Sequence, residues 1–247
     1  MAKRSDALAV DLKRYISEQG LLPGDRLPQE KQLMETYRAA KSTVREALKS
    51  LQAQGLIKIK TGPGGGAVIC DASFEKATDL LSSFFYFKNL SIHDIYQLRI
   101  VLEPELAASV IGRLKPEDFK RLQSTMCIYD TPPTTPEEEH AQRIAEFDFH
   151  EVLVQLCPNP LLSFVCHFLM ALLKNLDFCH NIYEHPYPEL METGRHYQMQ
   201  LLSALKREAT DDAKNIMRNH MIRAEALMQA KEATVKRRFF TTHPDAL

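Results

Sequence analysis

Cysteine is scarce in this chain and never paired in sequence. Five residues, Cys70, Cys127, Cys157, Cys166 and Cys179, are spread over 247 positions without a CxxC spacing. An odd number so scattered offers no disulfide framework and fits the reduced thiols of a cytoplasm. Long apolar runs are missing too. None approaches the ~20 residues that span a bilayer, and the opening MAKRSDALAVDLKRYI lacks the apolar stretch of a secretory signal. The expected location is therefore the cytoplasm, with no membrane partner. There is no internal repeat and no HExxH, so the commonest zinc-hydrolase signature is excluded. Charge of one sign is also lacking, since the net charge is −1. Taken for the whole chain, that argues against nucleic acid.

The distribution of charge says otherwise. Residues 1–70 hold 12 Lys and Arg against 7 Asp and Glu, a surplus of five positive charges. The remainder holds 19 against 25, a surplus of six negative ones. A basic head on an acidic body is what a protein needs when only its head meets phosphate.

That head carries the most informative stretch, from Leu27 to Ile69. Pro28 suits a helix start, where its missing N–H would be unpaired anyway. Gln29 to Tyr37 then makes a short helix with Leu33 inward, and Arg38-Ala39-Ala40 makes a turn. From Lys41 onward, Val44, Ala47, Leu48 and Leu51 recur on one face of a second helix. Lys41, Ser42, Arg45 and Lys49 lie opposite, and Gly55 ends it. Leu56-Ile57-Lys58-Ile59-Lys60 alternates like a half-exposed strand, a glycine-rich tip spans residues 61–66, and Ala67-Val68-Ile69 returns. Two helices followed by a hairpin form a winged helix-turn-helix, which places its second helix in the DNA major groove. Leu8, Val10, Leu12 and Ile16 suggest a further helix beneath this unit.

LPxExxL followed by STVREALKxLxxxGLIxxxxGxGGxxV resembles the GntR family of bacterial transcription regulators over about residues 7–70. The resemblance implies that Lys31, Lys41, Ser42, Thr43 and Arg45, with Thr61 and Gly62 in the wing, contact DNA. The chain departs from many relatives in carrying Lys31 and Lys41 in place of Arg, and Ala40 in place of Ser or Thr. Lysine reads guanine less well than arginine does.

Beyond Asp71 the pattern is helical throughout, so the chain as a whole is expected to be mainly α. Candidate helices fall near 74–86, 92–112, 116–127, 137–157, 160–180, 189–206 and 210–232. Asp130 to Pro136 is an expected loop, and Glu137-Glu138-Glu139 suits a helix N-terminus. Seven helices with short connections imply an antiparallel bundle. The domain reading is a DNA-binding unit at 1–70, a linker with the first bundle helix at 71–90, and a ligand-binding bundle at 91–235.

Within the bundle, Glu146 and His150 stand four apart, so both leave one helix face. His220 lies on the inward stripe of Ala213, Ile216, Met217, Ala224 and Leu227, and His196 follows Arg195 on the helix before it. A single histidine on an apolar face is most often a hydrogen-bonded core residue. Three of them with an in-phase carboxylate suit a first-row divalent ion. Arg99 has two readings: an i,i+4 partner for Glu103, or a guanidinium that holds a ligand's carboxylate.

YQLRIVLEPELA, FHEVLVQLCPNPLL and GRHYQMQLLSALKREATDDAKNIMRNHM resemble the FCD effector domain of the FadR branch, in its seven-helix form. That resemblance implies a metal held by Glu146, His150, His196 and His220, with glutamate where relatives usually carry aspartate. Zinc is the first expectation, nickel and manganese the alternatives. It also implies that Arg99 faces the cavity as an effector contact. The expected function is a transcription regulator, not an enzyme. It would bind an inverted-repeat operator on double-stranded DNA as a homodimer and respond to a small organic carboxylate such as a sugar acid. The alternatives are an acyl-CoA-type or metal-free effector, and a metal-dependent hydrolase fused to a DNA-binding head.

Overall fold

The computed structural model describes residues 3–62, 65–71, 73–86, 88, 90–131, 134–174 and 188–229. The fold is mainly helical, and the described chain divides into two compact units, Met1–Leu80 and Leu81–Leu247. The expected helix ends at 175–180 and 230–232, and Cys179, lie outside the described residues.

The first unit is built from α1 (Arg4–Glu18), α2 (Glu30–Thr36), α3 (Lys41–Ala53), and strands β1 (Ile57–Lys60) and β2 (Gly66–Ile69). Leu8 and Leu12 of α1, Leu33 of α2 and Val44, Ala47, Leu48 and Leu51 of α3 share one core with Ile57 and Ile69. Val10 does not join them. It is 56% exposed, because a 3.6-residue period puts it opposite Leu8 and Leu12. Gly55 follows α3 with φ +78, the left-handed conformation that lets the chain reverse into β1. The strands pair antiparallel in the register Ile57↔Ile69 through Lys60↔Gly66. Gly65 N–H donates to Gly62 O at 2.8 Å to close the tip. A Cβ on Gly65 would strike the Lys60 carbonyl, so only glycine fits there.

One local weakness follows from a sequence departure. Ala40 is the N-cap of α3, extended at φ −64 and ψ 152, and offers no side-chain cap. Ala40→Ser supplies the missing acceptor for an early helical N–H. It is expected to stabilise the protein by about 1 kcal/mol, read as a higher midpoint in thermal denaturation.

The second unit is a helical bundle. α4 (Phe74–Tyr86) leads into it, followed by α5 (Ile92–Ser109), α6 (Pro116–Met126), a 3₁₀ turn (Cys127–Asp130), α7 (Pro136–Leu156), α8 (Pro160–Lys174), α9 (Pro188–Lys206) and α10 (Thr210–Gln229). Sequence-encoded caps fix two starts. Ser91 Oγ accepts from Asp94 N–H at 3.1 Å, and Asp94 Oδ2 accepts from Ser91 N–H at 2.8 Å. Thr135 Oγ1 accepts from Glu138 N–H at 3.2 Å. α10 lies along α5, which also packs on α8, while α7 packs on α6 and α8. The buried face of α5 runs Ile92, Ile95, Tyr96, Arg99, Glu103, Leu106 and Ala107, so two charges sit in the middle of an apolar stripe. They and their neighbours are the point of interest.

Candidate functional site

Two sets of residues are placed for chemistry, one in each unit. In the first, α3 turns its apolar face inward and leaves Lys41, Ser42 and Arg45 exposed, with Thr43 half-buried. Lys31 on α2, and Thr61 and Gly62 in the wing, are also exposed. The first turn of α3 contains no acidic residue, so its free N–H groups and the helix dipole face solvent beside those cations. That is a phosphate-attracting end. Lys58 and Lys60 leave the same hairpin into solvent.

In the second unit, Glu146 and His150 of α7 meet His220 of α10, with one ligand atom from each all within 4.8 Å of one another. His220 Nε2 lies 3.0 Å from Glu146 Oε1. Glu103 of α5 bridges two partners: one carboxylate oxygen accepts from Arg99 Nε, and the other touches His150 Nδ1. The guanidinium of Arg99 stands 4.9 Å from the ring centre of Tyr96 and 5.7 Å from that of Phe147. Tyr197 of α9 completes the cluster. Its hydroxyl is 2.8 Å from His150 Nε2, and its ring stacks on His220 at 3.4 Å between centres.

Burial sets the electrostatics. Burial alone would push the Glu103 carboxyl up, but Arg99 and then His150 outweigh it and hold it down at about 2. Burial likewise favours a neutral Arg99, yet the Glu103 charge dominates and keeps it protonated. Burial lowers the pKa of His220 against the opposing pull of Glu146, which leaves a neutral imidazole, the form that ligates metals. Among the described residues, His220 Nδ1 has no hydrogen-bond partner. With both imidazoles neutral, the form that ligates metals, two carboxylates, Glu103 and Glu146, face one guanidinium in this interior. The donor set of imidazole and carboxylate, together with that surplus negative charge, fits a divalent cation.

His196 is not part of the cluster. It is exposed on α9, 2.9 Å from Gln200, whereas the expected set placed it among the ligands. The reason is helical phase. Tyr197, Gln198, Leu201, Leu202 and Leu205 form the inward face of α9, and His196 falls on the outer one with Met199 and Gln200. A groove of about 440 Å³ between α6 and α9, spanned by Arg195 and Asp130 at 3.1 Å, shares no residue with the cluster.

Comparison with known proteins decides the family. Residues 4–67 match "Bacterial regulatory proteins, gntR family", and residues 94–223 match the "FCD domain". The chain belongs to the GntR family. It is a DNA-binding transcription regulator with an FCD effector-binding domain, and the families and relatives it matches are regulators, not enzymes. It is 27% identical over 247 residues to the HTH-type transcriptional repressor NanR of Cronobacter sakazakii, covering 96% of this chain and 89% of that one. Identity is also 27% with the HTH-type transcriptional regulator LutR of Bacillus subtilis, over 62% of this chain and 68% of the relative. Among solved structures, Streptococcus agalactiae GntR shares the fold at a TM-score of 0.59 and 20% identity, covering 90% of this chain and 99% of that one.

For this GntR regulator, sequence reasoning undervalued three residues of the FCD domain. Glu103 read as a structural partner for Arg99, yet it also touches His150. Tyr197 was overshadowed by its neighbour His196. Gln198 is fully buried with neither amide atom hydrogen-bonded among the described residues. Counting back from Leu205 and Leu201 in steps of three and four reaches 197 and 198, not 196, and that signal was available.

Proposed function

We propose that operator affinity in this regulator is controlled by a small organic carboxylate, bound beside a divalent cation in the FCD domain. The observation that carries the reading is the buried group Glu146, His150 and His220, with ligand atoms within 4.8 Å, next to the Arg99–Glu103 pair. A dication held by those three residues would offer open coordination positions to an incoming oxygen ligand. Zinc suits the donors, with nickel or manganese as alternatives. Its two charges turn a surplus of one negative charge into a surplus of one positive, which complements a single carboxylate. Arg99 supplies the second electrostatic contact, and the apolar walls around it exclude water and strengthen both. This is the chemistry of a sugar acid, hydroxy acid or dicarboxylate, and membership of the FadR branch is part of the same proposal.

In the head, Lys31, Lys41, Ser42, Thr43, Arg45, Thr61 and Gly62 form the DNA-contacting set. One such head reads few base pairs, so a homodimer on an inverted repeat doubles the site. Leu98 and Val101, 50% and 59% exposed on the outer face of α5, offer apolar surface to a second copy. A cytoplasmic location suits a regulator that acts on DNA. Among the described residues, no helix is long and apolar enough to cross a membrane.

A thermal-shift screen of organic acids, run with and without zinc, tests the effector reading. Acids that stabilise only the zinc-loaded protein support it. Stabilisation by acyl-CoA and by no acid would replace it with the metal-free alternative. For DNA, Arg45→Ala is expected to lower operator affinity about tenfold or more, as loss of a bidentate base contact does, with the fold intact by circular dichroism. Unchanged affinity in a mobility-shift assay would remove Arg45 from the interface.

A further inference from the structure

Of the residues assigned to the α2–α3 recognition face, Arg45 alone has a planar fork; Lys31 and Lys41 are point charges and Ser42 and Thr43 are short hydroxyls. Arg45 does not hang freely. Its Nε donates to both carboxylate oxygens of Glu30, at 3.2 and 3.1 Å. Glu30 opens α2, and its charge in that first turn is favoured by the helix dipole. Both side chains are well exposed, 40% for Glu30 and 57% for Arg45. Exposed pairs of this kind add little to fold stability. A carboxylate on a DNA-facing surface also repels phosphate, so on electrostatic grounds alone it is a poor residue to have there.

We propose that Glu30 is a positioning residue for base recognition: it ties down Nε of Arg45 and presents the two Nη groups, end-on, to a guanine. The inference rests on the reading of Arg45 as a DNA contact. Guanine offers O6 and N7 side by side in the major groove, which two parallel N–H donors match. With Nε engaged from behind, the side-on approach through Nε is closed and the end-on approach remains. Fixing the guanidinium before encounter removes rotamer freedom that would otherwise be lost on binding. Glu30 thus trades general attraction to DNA for sequence discrimination.

The two contributions have opposite signs, and that makes the idea testable. Each variant is assayed on random-sequence duplex and on duplex that the wild-type protein enriches from a randomised library. Glu30→Gln is expected to bind random duplex roughly twofold more tightly, the effect of one unit charge acting at about 8 Å in water. Its ratio of selected to random affinity should fall roughly three- to tenfold, part of the ~5–150-fold that a bidentate arginine–guanine pair contributes. Glu35→Gln removes the same charge from an exposed position of α2 away from Arg45 and should leave that ratio unchanged. An unchanged ratio in Glu30→Gln, while Arg45→Ala loses discrimination, overturns the positioning role alone. An unchanged ratio in Arg45→Ala overturns the DNA-contact reading as well. Equal losses on both duplexes with a lowered melting temperature would make Glu30 a prop for α2 and also overturn the proposal.

Discussion

Arg99→Ala is expected to destabilise the bundle by about 3–5 kcal/mol, the usual cost of stripping one partner from a buried ion pair. Arg99 and Glu103 are 3% and 1% exposed, so water cannot take the place of the missing charge. A loss of effector response in that variant would then report unfolding as much as lost recognition. The double variant Arg99→Met/Glu103→Gln removes both charges and keeps an amide beside His150. It should recover most of the stability in chemical denaturation and still fail to respond to the carboxylate. Acid separates the two forms further. The Glu103 carboxyl sits at about 2 in the folded protein against 4.5 for the free group. A depressed folded value gives stability that is fully present above pH 4.5 and is lost as pH falls towards 2. The wild type should lose stability from this group as pH falls across that window, and the double variant should lack that component. Equal acid sensitivity in both would show that Glu103 is not held ionised by its neighbours.

Zinc at a hundredfold excess over its dissociation constant is expected to stabilise the wild-type protein by about 3 kcal/mol. At about 2–4 °C per kcal/mol for a protein of this size, the shift is easily read by calorimetry. His150→Ala and His220→Ala should each abolish most of that gain, because each removes a buried imidazole from a set of three. His196→Ala should keep it, since His196 points to solvent. Loss of the zinc response in His196→Ala would mean that α9 turns to bring that side chain inward when metal binds, and would restore the four-residue set.

The contrast between His196 and His220 shows what could be read without coordinates. Most of the head was legible because its signals are local: Gly55 stops α3, the glycine-rich stretch marks the turn of the hairpin, and Val44 to Leu51 mark the buried face. The alternation of β1 overstated its burial, since Ile57 is buried and Ile59 is 41% exposed. His220 was legible for the same reason, since Ala213, Met217 and Ala224 set its phase. His196 lay near a segment with few apolar residues ahead of it, and its phase could be fixed only by counting back from Leu201 and Leu205. Glu103 was harder still. Its link to Arg99 is an i,i+4 relation visible in sequence, but its contact with His150 joins α5 to α7 across 47 positions of chain, and no periodicity encodes that. Helix ends were less certain than helix faces. α5 stops at Ser109, short of residue 112, and Gly112 takes φ +73 in the turn beyond it.

Cys166 sits in the same interior, fully buried on α8. Burial, with Glu103 adding to it, pushes its thiol up to about 12. Only a thiolate attacks peroxide or exchanges with a disulfide at a useful rate. Cys166 therefore stays a protonated, shielded thiol under oxidative conditions that would convert an exposed residue such as Cys127. The same packing that concentrates charge around Arg99 and Glu103 leaves the sulfur beside them chemically silent, so oxidant stress has no foothold at Cys166 from which to disturb the buried charges.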